Sequence, residues 1–305
     1  MSRLITVAAA QMGPISRAES RAAVVARMMD LMRAAAAKGA GLVVFPELTL
    51  TTFFPRWFFE DQAEVDQFFE TEMPNGATQP LFDLGTSLGV GFSFGYAELV
   101  ETPSGSRHFN TSIIVDPKLG IVGKYRKVHL PGHENHEPWR PFQHLERRYF
   151  ETGDLGFPTF EAFGGRLGMC ICNDRRWPET YRVLALRGAE MILLGYNTPQ
   201  HYPPAPEHDH LQDFHNHLVM QAGAYQNGTW IVGVAKAGLE EECELIGGSC
   251  IIDPTGQIVA EAQTLGDEVI VYDCDFDRCA EIRKNVFDFT RYREPENYRI
   301  IGEEL

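Results

Sequence analysis

The chain has 305 residues, 44% hydrophobic and 23% charged, with 27 basic against 42 acidic residues and a formal charge of −15. That field repels phosphate backbones and anionic lipid surfaces, which argues against nucleic acid and membrane partners. A small anionic substrate stays compatible, because a local arginine pair outweighs distant charges screened over about 10 Å.

The segment "LITVAAAQ" near the start reads as a buried first strand rather than a secretory leader, since a helical pattern follows directly. Residues 18 to 38 place Val24, Val25, Met28, Met29, Leu31, Met32 and Ala35 at helical spacing, and Gly39 supplies a stop. "GLVVFPE" is a second buried strand closed by Pro46, and "VGFSFGYAEL" is another strand. "FNTSIIVDPKLGIVGKYRKVHL" predicts a hairpin that turns at Asp116-Pro117 and Gly120. "RLGMCICN" and "AEMILLGYN" are buried strands flanking a helix between Trp177 and Arg187. A helix then a strand follow in "FHNHLVMQAGAYQNGTWIVGVA". A second hairpin turns at Asp253-Pro254-Thr255-Gly256, and "DEVIVYDCDFD" leads into a short helix with Ile282, Val286 and Phe287 packed inward.

Strand–helix units thus alternate with hairpins, an α/β layered pattern, and no linker or tandem repeat divides residues 1–305, which predicts one domain. No run reaches the ~20 apolar residues of a membrane span. Six cysteines are too sparse for a disulfide scaffold, so free thiols in a reducing cytoplasm are expected.

Several strands end in chemistry-bearing residues, where α/β proteins commonly gather a site. Cys172 closes an apolar strand just before a helix, where backbone N–H groups stabilise a thiolate and an oxyanion. Its neighbour Cys170 points to the other face and reads as core packing. Glu47 ends "GLVVFPE", so burial raises its carboxyl towards the range of a general base; an exposed loop glutamate is the plainer alternative. Alternation places Tyr125 and Lys127 on one face of "GKYRKVHL". Turned inward, Lys127 offsets developing negative charge; turned outward, it is a solvated edge. A thiol, a carboxylate and a lysine together form a coherent set for covalent acyl transfer to water.

"VFPEL" at 44–48, "KYRKVHLPG" at 124–132 and "CICNDRRWPE" at 170–179, in that order, resemble the nitrilase superfamily of carbon–nitrogen hydrolases. Further runs, "LTTFFPRW", "RPFQHLERRYFE", "GDLGFP" and "LGYNTP", resemble its N-carbamoyl-D-amino acid amidohydrolase branch, along essentially the whole chain. The stretch "GHENHEPW" at 132–139 departs from that branch, at the rim of the expected pocket rather than at the triad.

The resemblance implies a four-layer α-β-β-α sandwich acting as a homodimer or homotetramer without a cofactor or metal. It implies Cys172 as nucleophile, Glu47 as general base and Lys127 as oxyanion stabiliser. Glu146 would orient the ureido group and the lysine, with the backbone N–H of Asn173 as second oxyanion donor. Arg175 and Arg176 would hold the substrate's free carboxylate with fork-shaped donors, and His144 and Asn197 match other pocket positions. The implied reaction converts an N-carbamoyl-D-amino acid to the D-amino acid, carbon dioxide and ammonia.

Three rivals are weighed against it. Another branch of the superfamily, such as a β-ureidopropionase-like enzyme or an aliphatic amidase, would share the triad. A metal hydrolase would use some of the ten histidines, but no HExxH-type spacing is present and His215 and His217 do not share a helix face. A non-catalytic scaffold would not need the triad. Phe53, Phe54, Trp57 and Trp139 read equally as pocket lining or as core and interface aromatics.

Overall fold

The computed structural model describes residues 2–303. Its strands are β1 Leu4–Gln11, β2 Leu42–Val44, β3 Phe69–Glu70, β4 Gly91–Thr102, β5 Gly105–Asp116, β6 Gly120–Arg126, β7 Thr159–Ala162, β8 Gly165–Ile171, β9 Met191–Tyr196, β10 Trp230–Ala235, β11 Ala237–Glu240, β12 Cys243–Ile246, β13 Cys250–Ile252, β14 Ile258–Glu261 and β15 Glu268–Asp275. Its α-helices are α1 Arg21–Ala37, α2 Gln62–Asp66, α3 Gln79–Leu88, α4 Glu146–Tyr149, α5 Pro178–Leu186, α6 Gln212–Asn227, α7 Asp277–Asn285 and α8 Phe289–Tyr292.

One sheet runs β15-β1-β2-β4-β5-β6, with β3 beside β4; the other runs β14-β13-β10-β9-β8-β7. Each has a parallel centre, β1-β2-β4 in one and β8-β9-β10 in the other, flanked by antiparallel edges. The sheets pack face to face, and helices cover both outer faces: α1 and α3 on one side, α5 and α6 on the other. This is the four-layer α-β-β-α sandwich that the resemblance implies.

The sequence explains the layering. In β1, Val7 and Ala9 face the second sheet while Ala8 and Ala10 face α1, so both faces are buried and the strand reads as a continuous apolar run. Helix α1 starts where the Ser20 hydroxyl accepts the Ala23 N–H at 3.2 Å, and it buries Val24, Val25, Met28, Leu31, Met32 and Ala35. Pro178 opens α5, and Gly228 in a left-handed conformation closes α6. Both predicted hairpins form, β5 with β6 and β13 with β14.

One expectation fails near the end of the chain. Val286 does not pack inward; it lies just past α7 and is 51% exposed. All six cysteines are buried and unpaired, and no helix among the described residues is long and apolar enough to cross a membrane.

Candidate active site

Four chain segments meet at the ends of strands. Residues 45–47 leave β2, Lys127 follows β6, Cys172 follows β8 and Asn197 follows β9. Two glycines let Glu47 sit between the sheets. A Cβ on Gly95 of β4 would stand 2.8 Å from the Glu47 Cα, and one on Gly195 of β9 would stand 2.4 Å from the Glu47 N. The backbone of Pro46 and Glu47 is thus pinched between one glycine from each sheet, a close approach only glycine permits.

Every polar atom of the Glu47 carboxylate is engaged. Its Oε1 accepts from Lys127 Nζ at 2.7 Å and from Asn110 Nδ2 at 2.8 Å. Its Oε2 accepts from the Asn197 N–H at 3.0 Å, while Asn197 Nδ2 donates to the Glu47 carbonyl at 3.0 Å. The Lys127 ammonium also donates to Glu146 Oε2 at 2.5 Å, and Glu146 Oε1 lies 3.2 Å from His144 Nε2. Glu47, Lys127 and Glu146 are fully buried.

Two carboxylates therefore share one buried ammonium, and the surplus acid shapes the titration. Burial raises the Glu47 carboxyl; Lys127 opposes that shift and Glu146 reinforces it. Burial likewise disfavours charge on Glu146, but Lys127 and His144 outweigh it and hold that carboxyl below its ordinary value. Burial alone would discharge Lys127; Glu146, Glu47 and Cys172 together keep it charged, raised above a free lysine.

Cys172 occupies a left-handed turn, φ 45°, a conformation that costs a non-glycine residue about 1–3 kcal/mol and is concentrated at functional sites. Its thiol is raised above the ordinary cysteine value by burial and by Glu47, against the pull of Lys127 and Arg175. The resting group is therefore a thiol rather than a thiolate. The turn is braced by Asp174, which accepts from Tyr125 Oη at 2.7 Å, from the Ile171 N–H at 2.9 Å and from the His129 N–H at 3.0 Å.

Arg175 does not stand where the sequence placed it. It is 1% exposed, and its guanidinium donates inward to the Cys172 carbonyl at 2.7 Å, Thr198 Oγ1 at 2.7 Å and Asn216 Oδ1 at 3.0 Å. The left-handed turn at Cys172 rotates the next residues, so Arg175 braces the turn from behind and is not among the cavity-lining residues. Neither arginine pairs with Asp174 or Glu179.

Arg176 does line the cavity, with Cys172, Asn173, Asn197, His144, Tyr202 and Gln212 among its neighbours. The space is about 180 Å³, small beside the roughly 300–1,000 Å³ of pockets for drug-sized ligands. Among the described residues no acid forms a salt bridge with Arg176. Arg176 is exposed overall, but partial desolvation at the cavity wall and the neighbouring Arg175 pull its pKa below the ordinary arginine value, a cost that an anion in the cavity relieves. The backbone around Asn173 opens on the same space, and Asn173 Nδ2 donates to the His129 carbonyl at 3.1 Å.

None of Phe53, Phe54, Trp57 and Trp139 lines this cavity. Phe53 and Phe54 belong to a separate aromatic core with Phe68, Phe69 and Tyr149, Trp57 packs against that core, and Trp139 is 62% exposed. Among the described residues no group of three or more His, Cys, Asp or Glu is arranged to hold a metal ion. Asn110, Asp174, Thr198 and Gln212 were not foreseen from the sequence. Each comes from a segment whose local pattern is ordinary strand, turn or helix, and only the convergence of distant segments gives it a place here.

A family model described as carbon-nitrogen hydrolase matches residues 6–284. The N-carbamoylputrescine amidase of Solanum lycopersicum is 29% identical over 98% of this chain and 95% of its own length. A nitrilase of Pyrococcus abyssi is 32% identical over 80% of each chain. Among solved structures, a carbon-nitrogen hydrolase from Helicobacter pylori G27 superposes with a TM-score of 0.84 at 22% identity, over 99% of both chains.

Proposed function

The chain belongs to the carbon–nitrogen hydrolase family, the nitrilase superfamily, and from that premise we propose that it hydrolyses N-carbamoyl-D-amino acids to the D-amino acid, carbon dioxide and ammonia. The observation that carries the substrate class is Arg176, which pairs with no acid among the described residues and stands at the wall of a small cavity that also holds Cys172. A free carboxylate beside the scissile carbonyl supplies that partner. A substrate ending in an ammonium group would meet a like charge there. The ureido group finds a precedent in a relative named for an N-carbamoyl compound. The D configuration rests on the resemblance of the "ICNDRRWPE" and "LGYNTP" runs alone.

In the proposed mechanism Glu47 takes the proton of Cys172, and the thiolate attacks the ureido carbon. Lys127 and the backbone N–H of Asn173 hold the oxyanion, a contribution of about 2.7–4 kcal/mol per donor in comparable sites. An amine departs with the proton returned by Glu47, leaving an acyl group on sulfur. Glu47 then deprotonates water, which attacks the same carbon and expels the sulfur, reprotonated by Glu47; the carbamic acid released breaks down to carbon dioxide and the second amine. Glu146 fixes Lys127 and with His144 orients the ureido group, while Asn197 holds Glu47 through its backbone N–H. Arg176 takes the carboxylate, and Arg175 keeps the Cys172 turn in place. Exposed Leu186 on α5 and Leu218 and Tyr225 on α6 support pairing of subunits across these helices, as a homodimer or homotetramer.

The test is incubation with N-carbamoyl-D-phenylalanine and its L-enantiomer, measuring ammonia and free amino acid. Release from the D form alone is expected. No release from either would overturn the carbamoyl-acid reading and turn attention to β-ureido acids, amides and nitriles.

A further inference from the structure

Gln212 is the first residue of α6 and is 7% exposed, yet its side chain makes no hydrogen bond within the described chain. Its Oε1 is buried without a donor. A buried acceptor left unpaired is destabilising, and native proteins carry few of them. Gln212 is among the residues that line the same cavity as Cys172, Arg176 and Tyr202.

The position is a rigid one. Asn216, one turn further along the same face of α6, accepts from Arg175 Nε at 3.0 Å and donates to Tyr196 Oη at 3.1 Å. Its start is continuous with the tight turn Pro206–Leu211. That turn belongs to the loop carrying Tyr202, whose N–H donates to Asp209 Oδ1 at 2.8 Å. Gln212 is thus presented to the cavity by a helix locked to the Cys172 turn, and its own amide is kept free.

The chemistry of the free group names what it recognises. A carboxamide both donates and accepts and carries no charge, so it complements a neutral hydroxyl or amide better than a carboxylate, for which Arg176 stands ready. We infer that Gln212 is a specificity-determining residue that hydrogen-bonds a neutral polar group on the amino-acid side chain of the substrate. This rests on the carbamoyl-acid reading above. Its consequence is a preference for side chains bearing a hydroxyl or carboxamide over apolar side chains of the same shape.

The experiment compares kcat/KM for two matched pairs, N-carbamoyl-D-threonine against N-carbamoyl-D-valine and N-carbamoyl-D-asparagine against N-carbamoyl-D-leucine. It uses the wild-type enzyme, Gln212→Met, which keeps the volume, and Gln212→Ala as a second variant. The wild type should favour the polar member of each pair by roughly tenfold, the worth of one neutral hydrogen bond. Both variants should lose that preference while turnover of the valine and leucine substrates is kept. An equal loss on all four substrates, or no change in the ratios, would overturn the inference and leave the carbamoyl-acid reading intact. Absence of turnover of any carbamoyl acid by the wild type would overturn both.

Discussion

Two buried charge clusters stand at the two ends of one segment, residues 47–56, and they are built in opposite ways. At one end Glu47, Lys127 and Glu146 put two acids around one base. At the other, Arg56, Lys236 and Glu240 put two bases around one acid. Each of the six side chains is at most 2% exposed.

The surplus charge decides what each cluster can do. Glu240 is saturated: it accepts from Arg56 Nη2 at 2.7 Å, the Phe53 N–H at 2.8 Å, the Ile15 N–H at 2.9 Å and Lys236 Nζ at 3.3 Å. Burial opposes its ionisation, but Lys236 and Arg56 outweigh burial and hold its carboxyl below the ordinary range. Lys236 in turn is pulled down by burial, more than Glu240 restores. Glu240 is therefore a fixed anion that anchors the loop. Glu47, beside a second acid, is held above the ordinary range and is the easier of the two carboxylates to protonate. Similar parts make an anchor in one place and, in the proposed mechanism, a base in the other.

The largest effect expected is on rate. Glu47→Gln keeps the shape but removes the proposed base and turns its NH2 towards one set of donors, so kcat should fall by roughly 10²- to 10⁴-fold; Lys127 keeps Glu146 as counter-charge, so the loss of stability should stay below that of Glu240→Gln. Glu240→Gln should do the reverse. It leaves two buried cations without their counter-charge, which costs about 3–5 kcal/mol, read as a lowered urea midpoint, while the folded enzyme retains kcat within a few-fold. Equal stability of the two variants would break the comparison.

Gly195→Ala comes next. Its methyl group would meet the Glu47 backbone and displace the carboxylate, so kcat should drop by about 10²-fold, the cost of a misplacement near 1 Å. A variant with wild-type kcat would show that the pinch is not needed.

The smallest effects lie in the pH dependence of stability, and they have opposite signs. Glu47 is raised in the native state, so its contribution is fully present below the ordinary carboxylate range and is lost as pH rises through its native value. Glu240 is lowered, so its contribution is present above that range and is lost as pH falls through its native value. Urea midpoints between about pH 4 and 8 should show wild type losing ground to Glu47→Gln as pH rises and gaining on Glu240→Gln. The same raised carboxyl should set the acid limb of kcat/KM above about pH 4.3.

How much of this was legible in the sequence follows from the range of the forces. Strands and hairpins are local, written in apolar runs and in turns such as Asp253 to Gly256, and both hairpins formed as read; the order of the strands in each sheet is not local and was not read. Glu47, Lys127 and Cys172 sit at strand ends, where local pattern left buried and exposed readings of the first two open; the resemblance of their three motifs is what grouped them. The place of Arg175 was not legible, because adjacency to Arg176 says nothing about a left-handed turn at Cys172 that sends one side chain inward and leaves the other at the cavity. Gly95 and Gly195 act through a contact between sheets that no single strand encodes. Val286 was assigned inward from helical spacing, yet α7 stops at Asn285 and the period ends with it.

The central claim is that these charges serve a nucleophilic thiol. The measurement that tests it most directly is ammonia release from N-carbamoyl-D-phenylalanine by Cys172→Ala, assayed beside the wild type under conditions where both are folded. The account predicts no release above background from the variant, with its melting temperature kept. Release at the wild-type rate would contradict the account, since Glu47, Lys127 and Arg176 would then be acting without the sulfur assigned to them.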